Sequence, residues 1–254
     1  MLLSQYLERI IRVKRVNVLF IITARGGSKG VPKKNIKVLG KLPLISYKII
    51  AAQKCRYTGR IIVSTDDKEI EEVSKKYGAE VPFIRPDELS TDEASSVDVV
   101  IHAMNWISQN SEDIYDYVCL LEPSSPFASY KDLNEALWLI EENDADTLLG
   151  MKEVDVTTNF IHSLDKNGKL SEFYYAVKDL KSIRRQDQKK EYTMNGCIYI
   201  AKWNYFLKNK SFHSENSIPY IMPEESSIEI DTLLDYEVAC KVVEKGLIDI
   251  SLWT

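Results

Sequence analysis

Apolar residues along this chain fall into short continuous runs separated by stretches of helical periodicity. Asn17–Thr23 and Arg60–Ser64 read as strands, and Tyr117–Leu121 is apolar throughout. Runs this short and this apolar suit strands covered on both faces. Glu80–Ile84, Thr147–Met151 and Asn195–Ile200 read as further strands. Pro43–Cys55 carries Leu44, Ile45, Ile49 and Ala52 on one face, which predicts a helix with Pro43 in its first turn. Asp66 or Asp67 is placed to cap a second helix running to Tyr77, with Glu69 and Glu71 near its positive end. Ala94–Ile107, Tyr130–Glu141 and Ile230–Val243 are helical by pattern, the first with Thr91 or Asp92 as its candidate cap. The alternation predicts an α/β fold, with a largely parallel sheet between helices on both faces.

The pattern breaks between Val154 and Glu191. Polar turns such as Asp165-Lys166-Asn167-Gly168 alternate there with Phe173, Tyr174 and Tyr175 and a charged patch from Lys178 to Lys190. This is read as an excursion from the sheet, hairpin-like in form, and not as a second domain. An arm of this kind serves a partner subunit in many proteins. Residues 1–15 place Leu3, Leu7, Ile10 and Ile11 on one face of an expected short helix, leaving 16–254 as the main domain.

Composition narrows the picture. The chain has 254 residues, 44% apolar and 28% charged, which suits one large globular domain. A net charge of -5 argues against a nucleic-acid polymer as partner but leaves a free nucleotide open, because a local cation cluster suffices for that. No run approaches the roughly 18 apolar residues of a membrane helix, and residues 1–15 lack the apolar core of a signal peptide. Cys55, Cys119, Cys197 and Cys240 are too widely spaced for a zinc or redox pair, so reduced thiols and a cytoplasmic location are expected.

The segment Arg25–Asn35 directly follows the first strand and holds three glycines, one arginine and three lysines. Such a loop can wrap a polyphosphate with its amide N–H groups while the cations neutralise it. Arg25 and Lys34 are the candidate clamps and Ser28 a hydroxyl donor. The spacing of Gly26, Gly27 and Gly30 departs from the dinucleotide fingerprint, and the Gly-Lys-Ser/Thr of phosphate-loop hydrolases is absent. A solvated surface loop is the plainer alternative. Ser96, near a helix start, can bond to a base or a phosphate, or can simply be a helical hydroxyl. Glu122-Pro123-Ser124-Ser125-Pro126 brings a carboxylate and two hydroxyls to the same rim, unless it is only a strand-to-helix turn. Glu229 and Asp231 share a side if their segment is extended, and Asp235 follows four residues later. Such oxygen ligands suit magnesium, which uses one or two carboxylates plus substrate phosphates. Asp231 is also a candidate helix cap. His102, His162 and His213 have no ligand spacing, and no Gly-x-Ser-x-Gly elbow is present, so zinc chemistry and covalent hydrolysis are not indicated.

Five blocks together carry a family resemblance from about Val16 to Lys245. They are Ala24–Gly30 with Lys34-Asn35; Arg85-Pro86 with Asp92, Ala94, Ser95, Ser96 and Asp98; Leu121, Pro123, Ser125 and Pro126; Arg184-Arg185-Gln186-Asp187 with Tyr192, Asn195-Gly196 and Ile198–Ile200; and Ile228–Asp231 with Asp235. With these blocks the chain resembles the acylneuraminate cytidylyltransferases, the CMP-sialic acid synthetases, including those for legionaminate-type sugars. The resemblance implies a three-layer Rossmann-like nucleotidyltransferase fold and a homodimer built on the 154–191 excursion. It implies transfer of CMP from CTP to the anomeric hydroxyl of a nine-carbon 2-keto-3-deoxy sugar acid, with Mg2+. Arg25, Gly27, Ser28, Lys34 and Asn35 are implied on the triphosphate and ribose side, and Arg85, Ala94 and Ser96 around the cytosine. Glu122, Ser125, Arg185, Gln186 and Tyr192 are implied on the sugar side, and Glu229 and Asp231 at the metal. Arg25, Lys34 and Asp231 are the implied catalytic set. The chain departs from the usual pattern where Glu122 replaces the common glutamine, where Phe127-Ala128-Ser129 lacks the arginine that many members carry soon after the Ser-Pro pair, and where Glu229 replaces the commoner aspartate. The rival expectations are an eight-carbon 3-deoxy-manno-octulosonate substrate, a different base and phosphosugar, and a nucleotide-binding regulator without turnover.

Overall fold

The computed structural model describes residues 16–154, 158–178 and 189–254. The expectations for residues 1–15 and for Arg184–Asp187 lie outside them. Six strands form one sheet in the order β4-β1-β5-β7-β6-β8. Here β1 is Asn17–Thr23, β4 Thr58–Ser64, β5 Tyr117–Leu121, β6 Thr147–Glu153, β7 Tyr192–Lys202 and β8 Ser217–Ile221. The short strands β2 (Val38–Leu39) and β3 (Leu42–Pro43) pair separately. β1 runs parallel to β4 and β5, and β6 parallel to β8, while β7 lies antiparallel between β5 and β6.

Side-chain alternation along β1 splits the apolar core in two. Val18, Phe20 and Ile22 point into one cluster, which includes Leu44, Ile45 and Ile49 of helix α1 (Leu44–Lys54). Leu19 and Ile21 point into the other, with Val100, Ala103, Met104 and Ile107 of α3 (Ser96–Asn110). α2 (Lys68–Lys76) lies between them in sequence, and α4 (Tyr130–Glu142) packs its buried Leu133, Leu137 and Ile140 into the first cluster. Three layers therefore enclose the central strands, which is why they read as unbroken apolar runs.

Several boundaries differ from expectation. Glu80–Ile84 is not a strand: it meets β4 and its continuation at two isolated bridges, Ile62 with Glu80 and Thr65 with Ile84. Pro82, in the middle, has no N–H to continue a ladder. α3 is capped by Ser95, which accepts from the Asp98 N–H at 3.1 Å, and not by Thr91 or Asp92. The last long helix, α7 (Leu233–Glu244), starts three residues later than its apolar pattern suggests. Thr232 caps it, with Asp235 completing a reciprocal capping box. Asp231 is therefore not the cap, and the Asp235 carboxylate is taken up by Thr232.

The excursion springs from adjacent antiparallel strands, because Glu153 pairs with Tyr192. Its described part is helical and not a hairpin: a short turn at Thr158–Phe160 and helix α5 (Ser171–Val177). α6 is Trp203–Asn209. All four cysteines are free, and burial pushes the Cys55 and Cys197 thiols up to about 11, which suits inert packing groups. Among the described residues no helix is long and apolar enough to cross a membrane.

Candidate active site

The parallel strands β1, β4 and β5 end at one rim of the sheet, and the candidate groups gather there. A cavity of about 390 Å³ opens at this rim. Its walls come from the glycine loop (Arg25, Ser28, Lys29, Gly30, Lys34, Asn35), from the end of β5 (Glu122, Pro123, Ser124) and from the segment holding Glu229 and Asp231, with Thr23 and Asp92 completing the lining.

The loop is anchored from behind. Gly26 donates its N–H to Asp66 at 2.9 Å, and a side chain at Gly26 would collide with Asp67 at 2.7 Å. Asn35 is buried and donates to the Arg25 carbonyl at 2.9 Å, so its amide shapes the loop while also lining the cavity. Gly27 has nothing within 4 Å of where a side chain would start, and faces open space. Gly30 is the tightest point: a β-carbon there would stand 1.9 Å from the Asp231 carbonyl oxygen. Only a glycine lets the loop touch the acidic segment.

Lys34 ties these two walls together. Its ammonium donates to the Ile230 carbonyl at 2.7 Å and to Asp231 Oδ1 at 3.1 Å. Arg25 pairs with Asp92 at 2.6 Å, and Lys29 pairs with the other oxygen of the same carboxylate. Those two cations hold the Asp92 carboxyl below the ordinary carboxylate range. Asp92, read from sequence as a candidate cap and as part of the Arg85-Pro86 block, thus occupies the loop cations as a phosphate oxygen would.

Three carboxylates line the acidic side of the cavity, Glu122, Glu229 and Asp231. Burial, and then the neighbouring Asp231, push the Glu229 carboxyl up. Burial pushes Glu122 up as well, opposed first by the Ser96 hydroxyl, which donates to Glu122 Oε1 at 3.0 Å. Glu229 and Asp231, neighbouring carboxylates on one wall of the cavity, are suited to a divalent cation. Among the described residues no group of three histidine, cysteine or acidic side chains forms a full metal cage. Two carboxylates, with phosphate oxygens completing the shell, fit magnesium.

The remaining expected residues are placed as follows. Arg85 is buried beneath the loop, donating from Nε to Ser64 Oγ at 3.1 Å and from Nη2 to the Ser64 carbonyl, and burial lowers its pKa to about 10. Ala94 and Ser96 sit at the start of α3, and Ser96 joins the site through Glu122. Ser125 is fully buried and does not line the cavity, and its Oγ has no hydrogen-bond partner. Tyr192 is exposed at the start of β7, away from the cavity lining. Arg185 and Gln186 lie outside the described residues. Lys48 was missed from sequence, although it lies within the inward stripe of α1 marked by Leu44, Ile45 and Ala52.

A glycine-rich cationic loop and a carboxylate pair facing one rim of a Rossmann-like sheet have the chemistry to hold a nucleotide polyphosphate with a metal ion. Residues 19–237 match the protein family described as Cytidylyltransferase. The chain belongs to that family, whose members are nucleotidyltransferases using CTP. It is 33% identical to the CMP-N,N'-diacetyllegionaminic acid synthase of Legionella pneumophila, over 90% of this chain and 97% of that one. It is 36% identical to the pseudaminic acid cytidylyltransferase of Campylobacter jejuni, over 87% and 94%. Against the N-acylneuraminate cytidylyltransferase of Escherichia coli O18:K1:H7 the identity is 34%, over 91% of this chain and 53% of that protein. The fold is similar to that of CMP:2-keto-3-deoxy-manno-octonic acid synthetase complexed with CTP, with TM-score 0.62, 15% identity and coverage of 90% and 99%.

Proposed function

We propose that this protein transfers CMP from CTP to the anomeric hydroxyl of a nine-carbon 2-keto-3-deoxy sugar acid, releasing pyrophosphate. The observation that carries the reading is the single cavity in which Lys34 joins the phosphate-type loop to the Glu229–Asp231 carboxylates. The sugar class is supported by the names of the relatives, which act on legionaminic, pseudaminic and neuraminic acids.

In this reading the anomeric oxygen forms a bond to the α-phosphorus, and the bond from that phosphorus to the bridging oxygen of the β-phosphate breaks. The hydroxyl proton leaves to solvent, and pyrophosphate departs. Arg25, Lys34, Ser28 and the amide of Gly27 bind the triphosphate and neutralise the charge on the leaving group. Glu229 and Asp231 would hold Mg2+, which when bound supplies charge neutralisation at the phosphates. Asn35 keeps the loop in register through the Arg25 carbonyl. Arg85, Ala94 and Ser96 surround the cytosine, with Arg85 holding the end of β4 through Ser64. No covalent intermediate is needed, consistent with the inert cysteines.

Glu122 borders the sugar side of the cavity. An ionised carboxylate accepts hydrogen bonds and donates none, so it favours a sugar that presents an N–H or O–H there. The resemblance assigns Ser125, Arg185, Gln186 and Tyr192 to the sugar as well, although Ser125 and Tyr192 are not among the residues lining the cavity. The excursion is the homodimer contact, supported by the exposed Ile161, Leu164, Leu170, Tyr174 and Tyr175 in its described part. A cytoplasmic enzyme accords with the free cysteines.

The test is magnesium-dependent pyrophosphate release from CTP across N-acetylneuraminate, diacetyllegionaminate, pseudaminate and the eight-carbon octulosonate. Release with a nine-carbon acid is the expected result. Release with the octulosonate alone, or with none while CTP still binds, refutes the assignment.

A further inference from the structure

Lys48 is a fully buried lysine whose ammonium donates to the main-chain oxygen of Cys197 at 3.0 Å. Its partner is a neutral carbonyl, and burial lowers its pKa despite the attraction of more distant acids such as Asp132 and Glu122. Burying an ammonium is costly, and a residue of similar size without the charge fills such a place at less expense. The N–H donor is therefore what the position supplies.

Cys197 lies where the pairing of β6 with β7 changes register, between Leu149–Tyr199 and Met151–Met194. Residues 195–198 face Gly150 across that break. Within it Gly196 has φ 69°, and a β-carbon on it would stand 2.6 Å from Ser125 Oγ and 3.1 Å from Glu229 Oε1. Asn195 beside it donates to Ser227 Oγ at 2.9 Å and accepts from the Cys197 N–H at 3.1 Å. The kink is thus the surface on which the acidic segment rests. Ser227 is tied to Asn195, Glu229 lies against Gly196, and the Ile230 N–H reaches the Ser124 carbonyl at 2.8 Å.

We propose that Lys48 is a positioning residue for Glu229, acting through the Cys197 carbonyl to hold the 195–197 kink in the shape against which Glu229 and Ser125 pack. The proposal rests on the reading of Glu229 as a metal ligand given above. It assigns Lys48 no contact with substrate.

The test compares the full-length protein with Lys48→Met and Lys48→Gln. Melting temperature, magnesium concentration for half-maximal pyrophosphate release, and amide hydrogen exchange over 195–198 and 226–231 are measured on each. Lys48→Met is expected to melt at or above the wild-type temperature, because a buried charge is removed. Its half-activating magnesium concentration should rise by about 10–100-fold, the usual loss when an outer support of a metal ligand is removed. Exchange should speed up in those two segments, and Lys48→Gln, which keeps a neutral N–H donor, should recover part of both effects. Wild-type magnesium dependence and exchange in Lys48→Met would overturn the proposal. So would a lower melting temperature with both unchanged, since that marks a packing role alone. If Lys48→Met does not fold, Lys48→Gln carries the comparison: because glutamine restores the bond only in part, faster exchange in both segments and a raised magnesium requirement are expected, and wild-type values of both overturn the proposal. Should the wild type release no pyrophosphate with any acid, the functional reading fails, and the exchange measurement still decides whether Lys48 holds the kink.

Discussion

Replacing Gly30 with alanine probes the join between the two walls of the site. The added β-carbon would stand 1.9 Å from the Asp231 carbonyl oxygen, against 3.4 Å for ordinary contact. Loop and acidic segment must therefore part by about 1.5 Å, since backbone on both sides leaves no side chain free to yield. Overpacking of this kind costs about 1–3 kcal/mol of stability. The larger effect falls on turnover, because Lys34 and Asp231 would no longer face the same phosphates. A displacement of about 1 Å in a reacting geometry can cost about 100-fold, or about 2.7 kcal/mol in the barrier. Gly27→Ala is the control, since nothing lies within 4 Å of its added carbon. It should leave the melting temperature unchanged while weakening CTP binding, because the new methyl enters the space assigned to phosphate. Steady-state pyrophosphate release and thermal melts on both variants make the comparison. Wild-type turnover in Gly30→Ala, with the protein folded, would refute the claim that the loop and the Asp231 segment act as one site.

Two further outcomes follow from charges at the rim. Asp92→Asn should lower the KM for CTP at low ionic strength, because Arg25 and Lys29 lose a competing carboxylate; with both groups partly exposed, the change should not exceed about fivefold and should shrink in salt. Glu122 has its carboxyl raised in the folded protein, chiefly by burial, so its ionisation opposes folding above its unfolded pKa, and protonation relieves this as pH falls. Glu122→Gln should therefore melt higher than wild type at neutral pH, with the gap closing toward acid pH. A gap that widens toward acid pH would mean that the carboxylate is stabilised where it sits.

Much of this arrangement is legible in the chain. The glycine loop after β1 and the apolar runs of β1 and β5 announce the sheet and the rim where the candidate residues gather, because buried parallel strands carry no polar alternation. The start of α7 is less legible: Ile230 extends the helical pattern, but the Thr232–Asp235 capping box fixes the true start, and a box is a pair of reciprocal bonds rather than a periodicity. Glu80–Ile84 looks like a strand by residue type, yet Pro82 breaks its ladder. The excursion hides its helix α5 because Ser171–Val177 buries none of its residues, so no apolar stripe marks it. Lys48 does carry a signal, a lysine within an apolar stripe, but its partner is a carbonyl 149 residues away. Likewise the need for glycine at 30 comes from Asp231, a contact that local spacing does not contain.

The central claim is that Lys34 and the Glu229–Asp231 carboxylates form one magnesium-dependent site for cytidylyl transfer. The most direct measurement is pyrophosphate release from CTP and a nine-carbon sugar acid, titrated with magnesium, for the wild type and Asp231→Asn in parallel. The account predicts magnesium-dependent release by the wild type and its collapse in a variant that melts normally. Equal release by Asp231→Asn at saturating magnesium, or release by the wild type in the presence of excess chelator, would contradict it.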